Sequence, residues 1–150
     1  MRTVFSDRSS VFQRAHECWR RGDFAGFLAC LDDDIVYIVN IDGQQVPYAM
    51  SSLGKQDVKD RLELLLRTLT VDLFDVEKHM VQGDHEVSVV HGVYSHKRTG
   101  EVLDVKVRFK GWTRNGRLVR IEEIQDAKYV EAFERFVYFM QQAAADPFDG

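Results

Sequence analysis

The sequence has few cysteines, no long apolar run and no excess of basic residues, and each shortage excludes a class of protein. The two cysteines among 150 residues, Cys18 and Cys30, fall in helical segments and are expected to be buried thiols rather than a disulfide framework. No apolar run approaches the roughly 20 residues of a membrane span, and residues 1–8 lack the apolar stretch of a signal peptide. We therefore expect a cytoplasmic protein without a membrane partner.

The charge balance argues against a nucleic-acid partner. The formal net charge is -4 at pH 7, whereas neutralising a phosphate backbone requires a basic face. The hydrophobic fraction of 45% and the charged fraction of 29% are those of an ordinary globular protein. A chain of this length suits one domain over residues 1–150, with a core at about 10–143 and a frayed tail at 144–150.

Hydrophobic periodicity predicts helices first and long strands afterwards. Apolar residues recur at helical spacing from Phe12 to Trp19 and in a short helix capped by Asp23. The same spacing predicts helices at about 55–69 and 128–144. Helices followed by a meander of antiparallel strands are an α+β plan. If such a sheet is strongly curved and carries the helices on its concave side, a pocket for a small ligand lies between them.

The predicted strands are bounded by turn signals. The segment 35–41 is apolar on both faces and should be covered on both sides. Asp42-Gly43 predicts a hairpin, with 46–50 as a short return strand held at the sheet edge by Pro47. Four longer strands follow at about 71–81, 87–97, 102–113 and 117–125.

Two adjacent glutamates in the last strand are the most informative feature of the sequence. Because a strand alternates its faces, Glu122 and Glu123 cannot both face solvent. An inward carboxylate is costly unless it is paired, hydrogen-bonded or protonated, and such groups often act as general acids or bases. The alternative is structural: an arginine at the sheet end neutralises the inward carboxylate, or the strand is exposed on both faces.

Four local motifs occur in a defined order over residues 10–135. They are Arg21-Gly22-Asp23 ahead of 33–37, the segment 53–58, Gln82-Gly83-Asp84, and 115–119 leading to Glu123 and Asp126. In order and spacing these motifs resemble the nuclear transport factor two-like superfamily, which includes ketosteroid isomerases, SnoaL-like polyketide cyclases and limonene epoxide hydrolases. The resemblance implies a cone-shaped, curved, largely antiparallel sheet wrapped around N-terminal helices, but this fold hosts many functions.

The resemblance also implies which side chains line the cone. On the family pattern Val119, Ile121, Glu123 and Gln125 point inward, and Glu123 is selected over Glu122. Tyr37 matches a water-positioning tyrosine of the epoxide hydrolases. His91 falls near an arginine of that site, but Val93 replaces its aspartate, so the set is incomplete. The ketosteroid isomerase set is missing, because Ala15 and Val39 stand where its tyrosine and aspartate would be.

The resulting catalytic candidates are Glu123, His91 and Tyr37. Glu123 would be the general acid or base, His91 would set its protonation or assist proton transfer, and Tyr37 would donate a hydrogen bond to a ligand carbonyl. Alternatively, Glu123 and His91 form a structural hydrogen-bonded pair, or they are not in contact. The other pocket candidates are Phe12, Trp19, Val39, Asn40 (only if its strand slips by one residue), Phe109, Trp112 (pocket or subunit interface), Ile121 and Gln125.

Neither a metal nor a cofactor is predicted. The histidines at 79, 85, 91 and 96 lack the spacing of metal ligands with a carboxylate or thiolate. The sequence has no glycine-rich phosphate loop and no GxSxG nucleophile elbow. Proton transfer, which needs neither, is therefore the chemistry for which the sequence supplies groups.

The expected function is that of a SnoaL-like protein binding a small apolar molecule. It would be an acid/base enzyme of the isomerase, cyclase, hydratase or epoxide hydrolase type, acting on a carbonyl-bearing or cyclic substrate. The alternatives are a non-catalytic ligand-binding domain and a protein-interaction domain whose pocket is closed by Trp19, Phe12 and Phe109. Apolar residues of 35–41 and 87–93 on the outer side of the cone need cover, so we expect a homodimer through the sheet face, as is common in relatives.

Overall fold

The protein is an α+β fold in which helices lie against one side of a curved, unclosed sheet. The computed structural model describes residues 9–41 and 46–145. The helices are α1 (Val11–Arg20), α2 (Phe24–Ala29), α3 (Lys55–Thr68) and α4 (Ala127–Ala145). The strands are β1 (Leu31–Val39), β2 (Ser52–Leu53), β3 (Leu69–Gln82), β4 (His85–His96), β5 (Val102–Arg114) and β6 (Arg117–Ile124).

The strands form one six-stranded sheet in the order β2-β1-β6-β5-β4-β3. Only β1 and β6 are parallel, and the other neighbouring pairs are antiparallel. The register of β3 against β4 shifts between Val71 and Leu73 and again between Val76 and Lys78. Irregularities of this kind bend a strand and increase its twist, which helps this sheet curve around the helices. The predicted α+β fold is thus confirmed.

Alternation along β5 separates the two faces of the sheet. Val105, Val107 and Phe109 are buried, whereas Lys106 and Arg108 between them are exposed. This is the pattern expected of a strand with one face on the core and one in water. The alternation of charged and apolar residues in the sequence of this segment indicates the same two faces.

Helix α1 is held against the inner face of β5 by a close approach. Its first turn is fixed by a capping box, in which the Ser10 hydroxyl accepts from the Gln13 N–H and the Gln13 side chain accepts from the Ser10 N–H. A Cβ placed on Gly111 would lie 2.3 Å from Cδ1 of Phe12. Glycine at this position therefore lets the Phe12 ring touch the strand backbone.

Two local predictions differ from the structure or fall outside it. The predicted return strand at 46–50 is instead a 3₁₀ turn, Pro47–Ala49, and the antiparallel pairing with β1 comes from Ser52–Leu53. Proline lacks the N–H that a strand ladder needs, and this favours the turn. The Asp42-Gly43 hairpin and the tail at 146–150 lie outside the described residues.

Helix α4 packs through one side and leaves another open. Val130, Phe133 and Val137 are buried, whereas Met140, three residues after Val137, is 37% exposed. The Tyr48 hydroxyl donates a hydrogen bond to Glu134 and ties the helix to the 3₁₀ turn. Cys18 and Cys30 are free thiols. Across residues 9–41 and 46–145, no helix combines the length and apolarity needed to cross a membrane.

Candidate functional site

A small cavity lies between the helices and the concave side of the sheet. Its volume is about 50 Å³, and its wall comes from α1, α2, α3 and every strand except β2. Ligand pockets usually measure about 300–1,000 Å³, so in this conformation only water or a group of a few atoms fits. Most of the wall is aromatic or aliphatic; its polar members are His16, Tyr37, Arg61, Tyr94 and Glu123.

Glu123 points into this cavity and Tyr37 binds it directly. The pairing of β1 with β6 sets Tyr37 beside Ile121 and Val39 beside Glu123. The Tyr37 hydroxyl donates to Glu123 Oε1 at 2.6 Å. Burial, followed by the nearby charge of Glu123, raises the pKa of Tyr37 well above its ordinary value. Tyr37 therefore remains a neutral donor to the carboxylate.

Gln125 supports the other oxygen of Glu123. Its side-chain amide donates to Glu123 Oε2. The backbone of Gln125 is in turn held by Asn40, which accepts from its N–H at 2.7 Å and donates to its carbonyl at 2.8 Å. Asn40 is exposed. It does not reach the cavity, where it was predicted only if its strand slipped by one residue. It acts instead on the position of Gln125.

Glu122 lies on the opposite face of β6 from Glu123. It accepts a hydrogen bond from Arg120 Nε at 2.9 Å and forms an ion pair with Nη2 of the same guanidinium at 2.8 Å. The two adjacent glutamates thus have different surroundings, as strand alternation predicts. Glu123 has hydroxyl and amide donors at an apolar cavity, and Glu122 has an arginine at the outer surface.

His91 does not meet Glu123, contrary to the predicted pair. Its Nε2 lies 2.7 Å from Asp104 Oδ1, and its register partner on β5 is Lys106. Directly opposed residues of antiparallel strands share a face, and Asp104 and Lys106 are on the exposed one. His91 is therefore on the outer side of the sheet and cannot assist Glu123 inside the cone.

The other wall predictions divide into two groups. Phe12, Trp19, Phe109 and Ile121 line the cavity. Val39 is buried, at 1% exposure, but packs in the core rather than on the cavity wall.

The structure also decides on which face of the sheet two further residues lie. Trp112 stacks on His85 with ring centroids 4.8 Å apart, one position from inward-facing Gly111, so it belongs to the outer face. Leu118 takes the inward position expected for Val119, because the register of β5 against β6 shifts between Trp112 and Thr113.

His16 is a cavity residue that the sequence reasoning did not select. It is 8% exposed, and its Nε2 lies 2.7 Å from Ser88 Oγ. Burial, with a smaller effect of nearby His79, lowers the pKa of His16 to about 3. The ring is therefore neutral at physiological pH. Its position within the apolar stripe of α1, next to Phe12 and Ala15, is the sequence signal that indicated burial.

Arg61 is the second missed residue and is 7% exposed. Its Nε donates to Ser52 Oγ at 2.9 Å and its Nη1 to the Tyr48 carbonyl at 3.2 Å. Its guanidinium carbon lies 4.4 Å from the centroid of the Tyr37 ring, a cation–π contact. Arg61 follows Val58 by three residues and precedes Leu65 by four. An arginine on the apolar side of an amphipathic helix was the available signal.

The described part of the chain offers no obvious metal centre. Among residues 9–41 and 46–145, no group of three or more histidine, cysteine, aspartate or glutamate side chains is arranged to hold a metal ion. The polar groups that the cavity does contain are hydrogen-bond donors, one carboxylate and one guanidinium. This arrangement can move a proton and bind an oxygen atom.

Comparison with known proteins identifies the family. The family model of the SnoaL-like domain matches residues 12–121. This chain belongs to the SnoaL-like domain family. The match covers most of the SnoaL-like cone and ends just before Glu123, so membership establishes the fold but assigns no role to that residue. No curated protein matches the chain in sequence.

Solved structures share the SnoaL-like fold at low sequence identity. A candidate isomerase from Rhodopseudomonas palustris has a TM-score of 0.71 at 17% identity, covering 85% of this chain and 97% of its own. A candidate SnoaL-like polyketide cyclase from Mesorhizobium loti has a TM-score of 0.63 at 22% identity, with 75% and 94% covered. A protein with a ketosteroid isomerase-like fold from Catenulispora acidiphila, in complex with trimethylamine, has a TM-score of 0.63 at 11% identity, with 79% and 85% covered.

Proposed function

We propose that this SnoaL-like protein binds a small, mainly apolar molecule in the cone and that Glu123 transfers a proton to or from it. The single observation that carries the proposal is the Glu123 carboxylate at an apolar cavity, with Tyr37 and Gln125 donating to its two oxygens. A carboxylate fixed in this way is oriented for proton transfer at a carbon or oxygen of a bound ligand. The related isomerase and cyclase names agree with such chemistry but concern other proteins.

Access to the cavity depends on Trp19. This residue lines both the inner cavity and a surface pocket of about 370 Å³. Its indole packs against Phe24 and Phe27, with ring centroids 6.2 and 5.6 Å away. Movement of Trp19 would join the two spaces into one of ordinary ligand-pocket size. The proposal therefore includes entry past Trp19.

The small inner cavity favours one competing function. Phe12, Trp19 and Phe109 all line it, and about 50 Å³ remains between them. A non-catalytic interaction domain whose cone is filled by its own side chains would have this arrangement. In that case Glu123, Tyr37 and Gln125 would form a structural network. Ligand binding and turnover separate the two functions.

Proton exchange provides a test that does not require the natural substrate. Cyclic ketones, enones and 1,3-diketones would be incubated with the protein in D₂O, and loss of the proton next to the carbonyl followed by NMR. The proposal predicts accelerated exchange for a subset of compounds, and loss of the acceleration in Glu123→Gln. The interaction-domain function predicts no acceleration by the wild-type protein or by Trp19→Ala, in which the inner cavity is enlarged.

A further inference from the structure

One nitrogen of the buried Arg61 guanidinium has no hydrogen-bond partner among the described residues. The Nε and Nη1 groups are bound to Ser52 and to the Tyr48 carbonyl, but Nη2 is buried and unpaired. No carboxylate of the described residues forms an ion pair with Arg61. Buried polar groups are almost always hydrogen-bonded, and an unpaired buried donor destabilises the protein, more so if it is charged. An unpaired guanidinium nitrogen at a cavity wall is therefore a vacant donor.

The rest of the Arg61 side chain is held in place around this donor. Two hydrogen bonds and the Tyr37 ring, 4.4 Å from the guanidinium carbon, orient the planar fork. The same Tyr37 donates its hydroxyl to Glu123. One tyrosine thus contacts both the cation and the carboxylate of the cavity. Because such a fork is preorganised, little further ordering is needed when an oxygen binds to it.

We propose that Arg61 Nη2 is the donor for the carbonyl oxygen of a neutral, enolisable ligand. Glu123 and Arg61 carry opposite charges on the same cavity wall, so a neutral ligand leaves the cavity neutral. A carboxylate ligand would add an uncompensated negative charge in an apolar space, which is costly. The inference rests on the proposed function, because it names the group that binds the oxygen of the molecule from which Glu123 takes a proton.

The proton-transfer step balances without another reactant. Glu123 takes a proton from the carbon next to the carbonyl, and the electrons of that C–H bond form a C=C bond. The π electrons of the carbonyl move to its oxygen, which becomes an enolate oxygen held by Nη2–H of Arg61. Return of the proton from Glu123 to a conjugated carbon gives an isomer of the ligand. The negative charge moves from Glu123 to an oxygen beside a cation, a form of electrostatic stabilisation.

The test compares three ligands of similar ring size: cyclohex-2-enone, cyclohexene and cyclohexanecarboxylate. Binding to the wild-type protein would be measured by NMR titration, and the carbonyl stretch of bound ¹³C-labelled enone by infrared difference spectroscopy. We expect the enone to bind most tightly, with its stretch lowered by the guanidinium. Wild-type protein that binds the enone no more tightly than cyclohexene, or that prefers the carboxylate, would overturn the proposal without any variant.

Variants then locate the donor. Arg61→Met should weaken enone binding roughly 10- to 100-fold, the value of a hydrogen bond to a charged group, and return the carbonyl stretch toward its value in free enone. Arg61→Lys should retain part of both effects. Arg67→Met, at an exposed arginine of the same helix, is the matched control. Unchanged enone affinity and an unchanged stretch in Arg61→Met would refute the assignment.

A further variant separates this inference from the proposed function. Glu123→Gln should keep the lowered carbonyl stretch, because oxygen binding does not require proton transfer, and should lose exchange. If exchange persists in Glu123→Gln while the Arg61 effects hold, the role of Glu123 is wrong and the oxygen site is right. If exchange is lost while Arg61→Met changes nothing, the reverse is true.

Discussion

His16 makes the stability of this protein depend on pH in a predictable way. Its ring is buried and lies among Phe12, Phe74 and Phe109, with Ser88 as its hydrogen-bond partner. Burial lowers its pKa from 6.5 to about 3. The folded protein therefore keeps His16 neutral at a pH at which the unfolded chain protonates it.

The size of the effect follows from proton linkage. Between about pH 6.5 and pH 3 the unfolded chain binds one more proton at this position than the folded chain, so stability falls as the pH falls. Each pH unit below 6.5 lowers the free energy of unfolding by about 1.4 kcal/mol. Going from pH 7.5 to pH 5 should remove about 2 kcal/mol of unfolding free energy through His16 alone. For a domain of this size that equals a fall of about 4–8 °C in melting temperature.

The assay compares wild type with His16→Gln by urea denaturation at pH 7.5 and pH 5. Glutamine is neutral at both and can still hydrogen-bond to Ser88, while every other titrating group is shared and cancels in the difference. The wild type should lose about 2 kcal/mol more than the variant between the two pH values. Equal losses in the two proteins would show that His16 is not held neutral by burial, and would refute the packing described for α1.

Three other predictions concern packing, the support of Glu123 and assembly. Gly111→Ala places a Cβ 2.3 Å from the Phe12 ring and should cost about 1–3 kcal/mol of unfolding free energy. Thr113→Ala, at an exposed position of the same strand, should cost little. Equal urea midpoints for the two variants would contradict the close approach of α1. Asn40→Ala removes both hydrogen bonds to the Gln125 backbone and should lower the unfolding free energy by about 1–3 kcal/mol. It should also slow the proton exchange of a ketone by Glu123. An unaltered exchange rate would mean that Gln125 does not need this support. We propose a homodimer through the outer sheet face, where Leu73 and Met80 are 41% and 47% exposed. Light scattering should therefore give twice the 17.4 kDa of one chain, and a monomeric mass at micromolar concentration would reject the dimer.

Local alternation explains why much of the fold could be predicted. Along β5, charged and apolar residues alternate, and the structure places Asp104 and Val107 on the faces that this pattern predicts. Adjacent Glu122 and Glu123 obey the same rule, because an i to i+1 step in a regular strand always changes face. These predictions depended on neighbours in sequence only.

The wrong predictions concern strands in which the alternation of apolar and polar residues does not identify the inward face. Strand β4 carries valines on both faces, including Val89 and Val90, so its hydrophobic pattern does not say which way His91 points. The register shift between Trp112 and Thr113 places Leu118, instead of the predicted Val119, at the cavity. Neither the inward face of a two-sided apolar strand nor an irregular register can be identified from the sequence of a single strand.

The polar wall of the cavity depended on contacts between distant segments. Arg61 acquires its role from Ser52, Tyr48 and Tyr37, which come from three different elements. Its position on the apolar side of α3 indicated burial but not its partners. The cavity volume of about 50 Å³ is likewise set by how the aromatic side chains pack, which composition does not specify.

We claim that Glu123, and not the glutamate beside it, transfers the proton. The most direct measurement is the exchange rate of one responsive ketone with Glu123→Gln and with Glu122→Gln, two variants that make the same chemical change on opposite faces of β6. Glu123→Gln should lower the protein-dependent rate roughly 10²- to 10⁴-fold, the usual contribution of a general acid or base, and Glu122→Gln should leave it within about twofold of wild type. Equal rates for the two variants would contradict the claim.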